Sequence, residues 1–414
     1  MKRIIKLSFI FIMLGIISFT TQCGTQYIGG DRNEKWKKDL NYLKEALPRK
    51  HPDLFFEIKE DEFYGKIDDL KNSVNNLNDD EICAGICEVV ASIGDAHTKA
   101  NINYTKRYPL EFYYFNKDIY LINTTNEYKQ VLNCKLTKVN NLDINKVEKL
   151  LEPLIAHENE ANIKKTLPSF FSRPDILHGK GIIDDIENVN FTFQNSEGKE
   201  FYLNVKPLDL ENRKIDFIIT DYDKTYPLYM QNGNSNYWYK YIEDKNILYF
   251  KYNQCIYDEE SGDIDELIKE MLKYIDNKKV DKFVIDMRNN SGGSDGYLMP
   301  LIEGVKKRYI NDPNKLFVVV GRQTFSSAVI NASQMREETN ATFVGEPTSS
   351  KSNHYGAVKS FQLPNHKIQI RYSTKKISAF KDKSDSFTPD KIIEVSINDY
   401  VNKKDPVLEY ILSL

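Results

Sequence analysis

From Ile247 to Val344, short apolar runs alternate with stretches of helical period, and no other feature restricts the fold as strongly. Ile247-Leu248-Tyr249-Phe250, Phe283-Val284-Ile285, Leu316 to Val320 and Ala341 to Val344 are too short for helices. Their continuous apolar character suits strands covered on both faces. Between them, Ile264, Leu267, Ile268, Met271 and Ile275 repeat at helical spacing, and Tyr297 to Arg308 and Ala328 to Glu337 read as two further helices. Such alternation implies crossovers that join parallel strands. Active sites collect in the loops at the carboxyl ends of such strands. Two loops qualify here, Asp286 to Gly293 and Thr324 to Ser327.

Ser326 and Ser327 stand at the second strand-to-helix turn. A serine there is exposed, next to the free N–H groups and positive dipole end of the helix. That setting suits a nucleophile beside an oxyanion site. Serine is also a favoured N-cap, so a purely structural role for Ser326 stays open at this point. In the first loop, Gly292-Gly293 allow a tight turn with N–H groups facing outward. A plain strand-exit turn has the same composition.

The rest of the chain reads as two further regions. Residues 31–100 are helical, with faces built on Trp36, Leu40, Leu43 and Leu47, on Phe63, Ile67, Leu70 and Val74, and on Ile82, Ile86, Val89, Val90 and Ile93. Pro48 and Pro52 are expected to separate the first helix from the second. Residues 101–210 are β-rich: Leu110 to Phe115, Ile119 to Ile122 and Cys134 to Val139 alternate, a helix from Ile144 to about Ile155 follows, and Phe191 to Val205 reads as a hairpin turning at Ser196-Glu197-Gly198. A polar linker ends at the turn residues Asn232 to Ser235, and residues 237–414 form the last region. After Gly356, Phe361 to Pro364 and Ile368 to Tyr372 look like strands. The expected class is α/β, mixed α+β overall.

Three motifs in this order resemble the C-terminal processing peptidases (tail-specific proteases), a branch of serine peptidases that includes the tricorn core protease. They are Gly94-Asp95-Ala96-His97-Thr98, then Asp286 to Gly293, then Thr324-Phe325-Ser326 with Gly345-Glu346-Pro347-Thr348 and Lys351 following. The resemblance implies a helical N-terminal cap, a PDZ-like middle module and an α/β peptidase core. Asn140-Asn141 can supply the turn before the module's helix, but Cys134 replaces the usual Gly and no carboxylate-binding loop is visible. A β-rich spacer is therefore as good a reading as a peptide-binding module. The resemblance also implies a nucleophile at Ser326, with an oxyanion hole from Gly292 or Gly293 and the N–H of Ser327. Two bases compete. The lysine branch points to Lys351, but Tyr355 stands where that branch places an orienting glutamine. The tricorn-like branch points to His97, which needs no desolvation to accept a proton near neutral pH. His97 is therefore assigned as base, Lys351 a secondary role near the oxyanion or substrate, and Glu346 a place as third member, with a solvated loop acid as its alternative. No metal or organic cofactor is called for. The competing function is an inactive peptide- or ligand-binding protein on the same fold, as in the retinoid-binding protein of the retina, which resembles this family.

The N-terminus places this chemistry outside the cytoplasm. Lys2, Arg3 and Lys6 precede an apolar stretch, Leu7 to Phe19, too short for a comfortable span, and Cys23 follows. Residues 1–22 resemble a bacterial lipoprotein signal with Cys23 as the lipidated residue, although Gln22 fits that pattern poorly. Secretion or an uncleaved anchor are the alternatives. Cys83, Cys87, Cys134 and Cys255 are expected as free thiols, since no Cys/His spacing suits zinc. A formal net charge of −3 without a basic stripe argues against nucleic acid. The expected partners are a peptide or protein substrate and, through the lipid, a membrane.

Overall fold

A computed structural model describes residues 27–211, 214–257 and 259–414. The signal-like segment and Cys23 lie outside them.

The alternating stretch forms a six-stranded sheet in the order Tyr237–Ile242, Ile247–Tyr252, Lys282–Asp286, Leu316–Val320, Thr342–Gly345, Lys391–Ile392. The first pair is antiparallel and every later pair parallel. Each strand points alternate residues to opposite faces. Leu248, Phe250, Phe283, Ile285, Val318 and Val320 meet the helices Ile264–Lys278, Met299–Lys306 and Ser327–Glu338 on one face. Tyr249, Val284, Phe317, Val319 and Val344 are covered on the other by Val407 and Ile411 of the last helix, Pro406–Ser413. Burial on both faces explains why these strands read as unbroken apolar runs. The α/β core expected from the alternation is present.

Helices Arg32–Lys50, Glu60–Ser73 and Asp79–Ala91 form the N-terminal layer. The first runs through Pro48, contrary to the break expected there. Pro48 lies in the final turn, where it removes a single intrahelical donor, and the N–H of His51 still bonds the Leu47 carbonyl at 3.1 Å. This layer is closed by a distant segment. Lys359–Gln362 and Gln369–Tyr372 form a hairpin whose second strand pairs with Lys99–Asn101. Its Leu363, Ile368 and Ile370 pack among Trp36, Leu40 and Ile86.

The middle region is an antiparallel sheet ordered Leu110–Phe115, Asp118–Thr124, Lys135–Val139, Val189–Gln194, Glu200–Val205. The turn at Asn140 uses a φ of 49°, and the one at Gly198 a φ of 84°. The helix from Ile144 ends at Leu151, earlier than expected, because Pro153 cannot continue it. Likewise the helix expected from Tyr297 starts at Met299, after a 3-10 turn. A helix at Glu160–Phe170, not foreseen in this alternating region, carries Asn162 and Lys165 toward the core. Its N-cap Asn159 donates to the carbonyls of Thr348 (3.1 Å) and Asp385 (2.7 Å), clamping the middle region to the loop after Gly345.

Among the described residues no helix is long and apolar enough to cross a membrane. Cys83, Cys87, Cys134 and Cys255 are free.

Candidate active site

The turn after Leu316–Val320 is held from its neighbour loop. Thr324 Oγ1 donates to the Met287 carbonyl (2.8 Å) and accepts from the Gly321 N–H (3.0 Å). The Phe325 N–H bonds the Asn290 carbonyl at 3.0 Å. Between these ties Ser326 adopts φ 55° and ψ −128°. A non-glycine residue with positive φ is strained, by about 1–3 kcal/mol. Ser326 occupies the N-cap position of the helix Ser327–Glu338, yet its side chain makes no capping hydrogen bond. The simple capping role is thus not the one it adopts. Ser327 is the first helical residue, and its Oγ donates to the Gly293 carbonyl at 2.8 Å.

The glycine loop is fastened to the sheet by buried charge. Asp286 accepts from Tyr249 Oη (2.6 Å), Lys251 Nζ (3.1 Å) and Arg288, and Arg288 forks onto Asp405 at 2.9 and 3.0 Å. Burial opposes ionisation of Asp286, but Arg288 and Lys251 prevail and hold its carboxyl down to about 2. Further along, Asn290 donates to the Tyr252 carbonyl and its Oδ1 accepts the Gly292 N–H, at 3.0 and 2.9 Å. Gly292 and Gly293 take φ of 104° and 139°. A Cβ on Gly292 would lie 2.9 Å from both the Phe325 carbonyl oxygen and Ser326 Cβ, so only glycine lets this loop touch the serine turn. Because Asn290 takes the Gly292 N–H, the open donors are those of Gly293 and Ser327; among the described residues neither N–H has a protein acceptor.

His97 reaches this turn from the N-terminal layer. Its ring lies on Phe325 at 4.3 Å between centroids and parallel to His354 at 5.1 Å. Neither ring nitrogen is hydrogen-bonded, and Nδ1 is 3.8 Å from Asp95 Oδ1. The expectation of an imidazole that accepts a proton near neutral pH without desolvation is not met: burial, then His354, Arg371 and Lys99, push His97 down to about 3, against the pull of Asp95. Asp95 is a fully buried hub. Its Oδ2 accepts from His51 Nε2 (3.1 Å), Thr98 Oγ1 (2.5 Å) and Ser373 Oγ (2.6 Å), and its Oδ1 accepts the His97 N–H (2.9 Å). His51 Nδ1 accepts from the Asp53 N–H, which fixes the proton on Nε2. These donors hold the Asp95 carboxyl below its ordinary value despite burial.

Two groups come from the middle region. Glu158 accepts from the Lys351 N–H (3.1 Å) and Ser350 Oγ (3.3 Å), and burial raises its carboxyl to about 7. Lys165 donates to Ser349 Oγ at 3.2 Å with its ammonium 4.3 Å above the Phe325 ring; burial, then Lys99, lower it to about 8. Ligand atoms of Asp95, His97 and Glu158 lie within 4.8 Å of one another, the one convergent trio of metal-ligand types among the described residues. Asp95 already has four donors, and Lys99 and Arg371 act on His97, so the trio suits proton handling better than a cation.

The other two expected residues are held by opposite charges. Lys351 Nζ pairs with Asp385 at 3.1 Å. Glu346 pairs with Arg322 at 2.5 Å and lines a cavity of about 470 Å³ with Tyr113, Arg288 and Tyr400. Asp95 stood in the first motif without a role attached, and His354, three residues after Lys351, stood in none. Glu158, Lys165 and His51 carried no local signal, because only tertiary packing brings them in.

The fold is shared with solved peptidase structures. Mature CPAF complexed with lactacystin superposes with a TM-score of 0.65 and 13% identity, covering 92% of this chain and 97% of that one. Mature CPAF alone gives 0.64 and 12%, over 92% and 96%. The photosystem II D1 C-terminal processing protease aligns with a TM-score of only 0.40 and 12% identity, over 91% of this chain and 96% of that one. No protein-family model and no curated protein sequence matches the chain. The two CPAF superpositions bear out, as a fold, the resemblance drawn from the motifs.

Proposed function

We propose that this protein is an exported serine endopeptidase. The reading rests chiefly on Ser326, held at a strained φ of 55° with its side chain withheld from capping and its turn pressed against Gly292. In the proposed reaction Ser326 Oγ attacks the scissile carbonyl carbon and its proton passes to His97. The Gly293 and Ser327 N–H groups face the oxyanion. His97 then protonates the leaving amine, and water, deprotonated by the same imidazole, hydrolyses the acyl-enzyme. Asp95 is the positioning residue: its carboxylate stands beside Nδ1 and stabilises the imidazolium while it exists. Lys351, paired with Asp385, is assigned to binding rather than to proton transfer. Export rests on the charged N-terminus and the apolar stretch before Cys23, through which the mature chain is proposed to carry a lipid anchor.

The test of the base is the rate of labelling by a fluorophosphonate in His97→Ala and Lys351→Ala. His97→Ala should lose about 10²–10⁴-fold, the contribution of a positioned general base. A dead Lys351→Ala beside a near-normal His97→Ala overturns the assignment.

A further inference from the structure

Three cations stand around the His97–Phe325 edge of the site, and among the described residues no carboxylate pairs with them. Lys99 follows His97 by two residues and faces Arg371 directly across the antiparallel pair Lys99–Asn101 with Gln369–Tyr372. Like charges opposite one another oppose strand pairing. Lys165 completes the group from the middle region: its ammonium lies 4.3 Å above Phe325, the ring stacked on His97, and the charge of Lys99 reaches it. Among the described residues its Nζ meets the Ser349 hydroxyl and the face of Phe325, the residue before Ser326.

Two lysines nearby in the chain are matched. Lys164, next in the chain to Lys165, pairs with Glu160 at 2.8 Å, and Lys351 pairs with Asp385 at 3.1 Å. Among the described residues Lys99, Lys165 and Arg371 form no ion pair. The acids of the site are committed elsewhere: Asp95 to four donors, Glu158 to the Lys351 N–H and Ser350. Lys165 and Arg371 are half-buried and Lys99 is exposed, so the group lines an open wall rather than a sealed core.

We infer that Lys99, Lys165 and Arg371 form a subsite for a substrate carboxylate next to the scissile bond. Two ammonium groups and a guanidinium fork suit a carboxylate, and charge-assisted bonds there are stronger than neutral ones. A peptide offers this group in two places, an Asp or Glu side chain and the chain's own C-terminus. An anion bound there also neutralises two of the cations that depress His97. That the ligand is a substrate rests on the peptidase reading; that the subsite binds a carboxylate does not.

The experiment separates the two. Three dye-labelled degenerate peptide pools are titrated by anisotropy against full-length Ser326→Ala protein, which needs no turnover. One pool is centred on Glu with an amidated C-terminus, one on Gln with an amidated C-terminus, and one on Gln with a free C-terminus. At least one carboxylate pool should bind about 10- to 100-fold tighter than the Gln amide pool, the scale of hydrogen bonds to charged groups. Preference for the Glu pool identifies a side-chain subsite, and preference for the free acid a terminal one. Adding Lys165→Gln, which keeps much of the stem over Phe325, or Arg371→Gln should remove the preference and its salt dependence, while Lys164→Ala keeps both. Equal binding of all three pools, or a preference that survives both substitutions, overturns the inference.

Discussion

Replacing Asp95 by Asn tests whether the hub beside His97 is a carboxylate by necessity. The four donors on Asp95 cannot all be kept. With the amide nitrogen at the Oδ2 position, His51 Nε2–H, Thr98 Oγ1 and Ser373 Oγ face a donor. The hydroxyls can turn to accept, but His51 cannot, because its Nδ1 is engaged by the Asp53 N–H. With the nitrogen at the Oδ1 position, the His97 N–H is left facing it. Either way one buried donor loses its acceptor, at about 1–3 kcal/mol, and the remaining bonds lose a charged acceptor worth about 1 kcal/mol or more. The total is about 3 kcal/mol. In urea, with a slope of about 1–3 kcal/mol/M, this lowers the midpoint by roughly 1–3 M. Trp36, buried in the same layer, reports the transition by fluorescence. Labelling by a fluorophosphonate should slow as well, by about 10²–10⁴-fold, because His97 loses the charge that stabilises its protonated form. An Asp95→Asn protein with the wild-type midpoint and labelling rate refutes the hub.

Two further outcomes concern the site and a third the N-terminus. Ser327→Ala loses only the bond to the Gly293 carbonyl, at about 0.5–1.5 kcal/mol of stability, and should label near the wild-type rate, whereas Ser326→Ala should not label; the reverse pattern moves the nucleophile to Ser327. His97 and Glu158 pull stability in opposite directions on acidification. Folding lowers His97 to about 3, so its contribution is present above the ordinary 6.5 and is lost as pH falls toward 3; folding raises Glu158 to about 7, so its contribution grows as pH falls from 7 through the ordinary 4.5. Glu158→Gln should therefore lose more stability between pH 7 and 5 than the wild type, and equal denaturation curves would remove this pairing. Cys23→Ser should release the protein from membranes or block its maturation, and unchanged fractionation and gel mobility count against the lipid.

The parts of this structure written in local sequence were legible, and the parts made by packing were not. Thr324, Ser326 and Gly292 occupy turns whose chemistry is set by neighbouring residues: a strand end, a helix start and a pair of glycines. The parallel core could be read because strands buried on both faces leave unbroken apolar runs such as Leu316 to Val320. Lys359–Gln362 and Gln369–Tyr372 read as strands too, but nothing in them names Lys99–Asn101 as their partner. That pairing places Arg371 opposite Lys99 and Ser373 on Asp95. The helix Glu160–Phe170 was missed because it sits in a region dominated by alternation and contains Pro168. Lys165 and Glu158 were missed with it, since their meaning lies in Ser349 and Lys351, far along the chain. Glu346, chosen from its motif, is held by Arg322.

The central claim is that Ser326 is an activated nucleophile. The direct measurement is peptide mapping by mass spectrometry of the folded protein after brief exposure to a fluorophosphonate. A single phosphonate on Ser326, absent after heat denaturation before labelling and greatly reduced in His97→Ala, is the result this account requires. A well-folded protein that carries no adduct, or carries it on another serine, contradicts it.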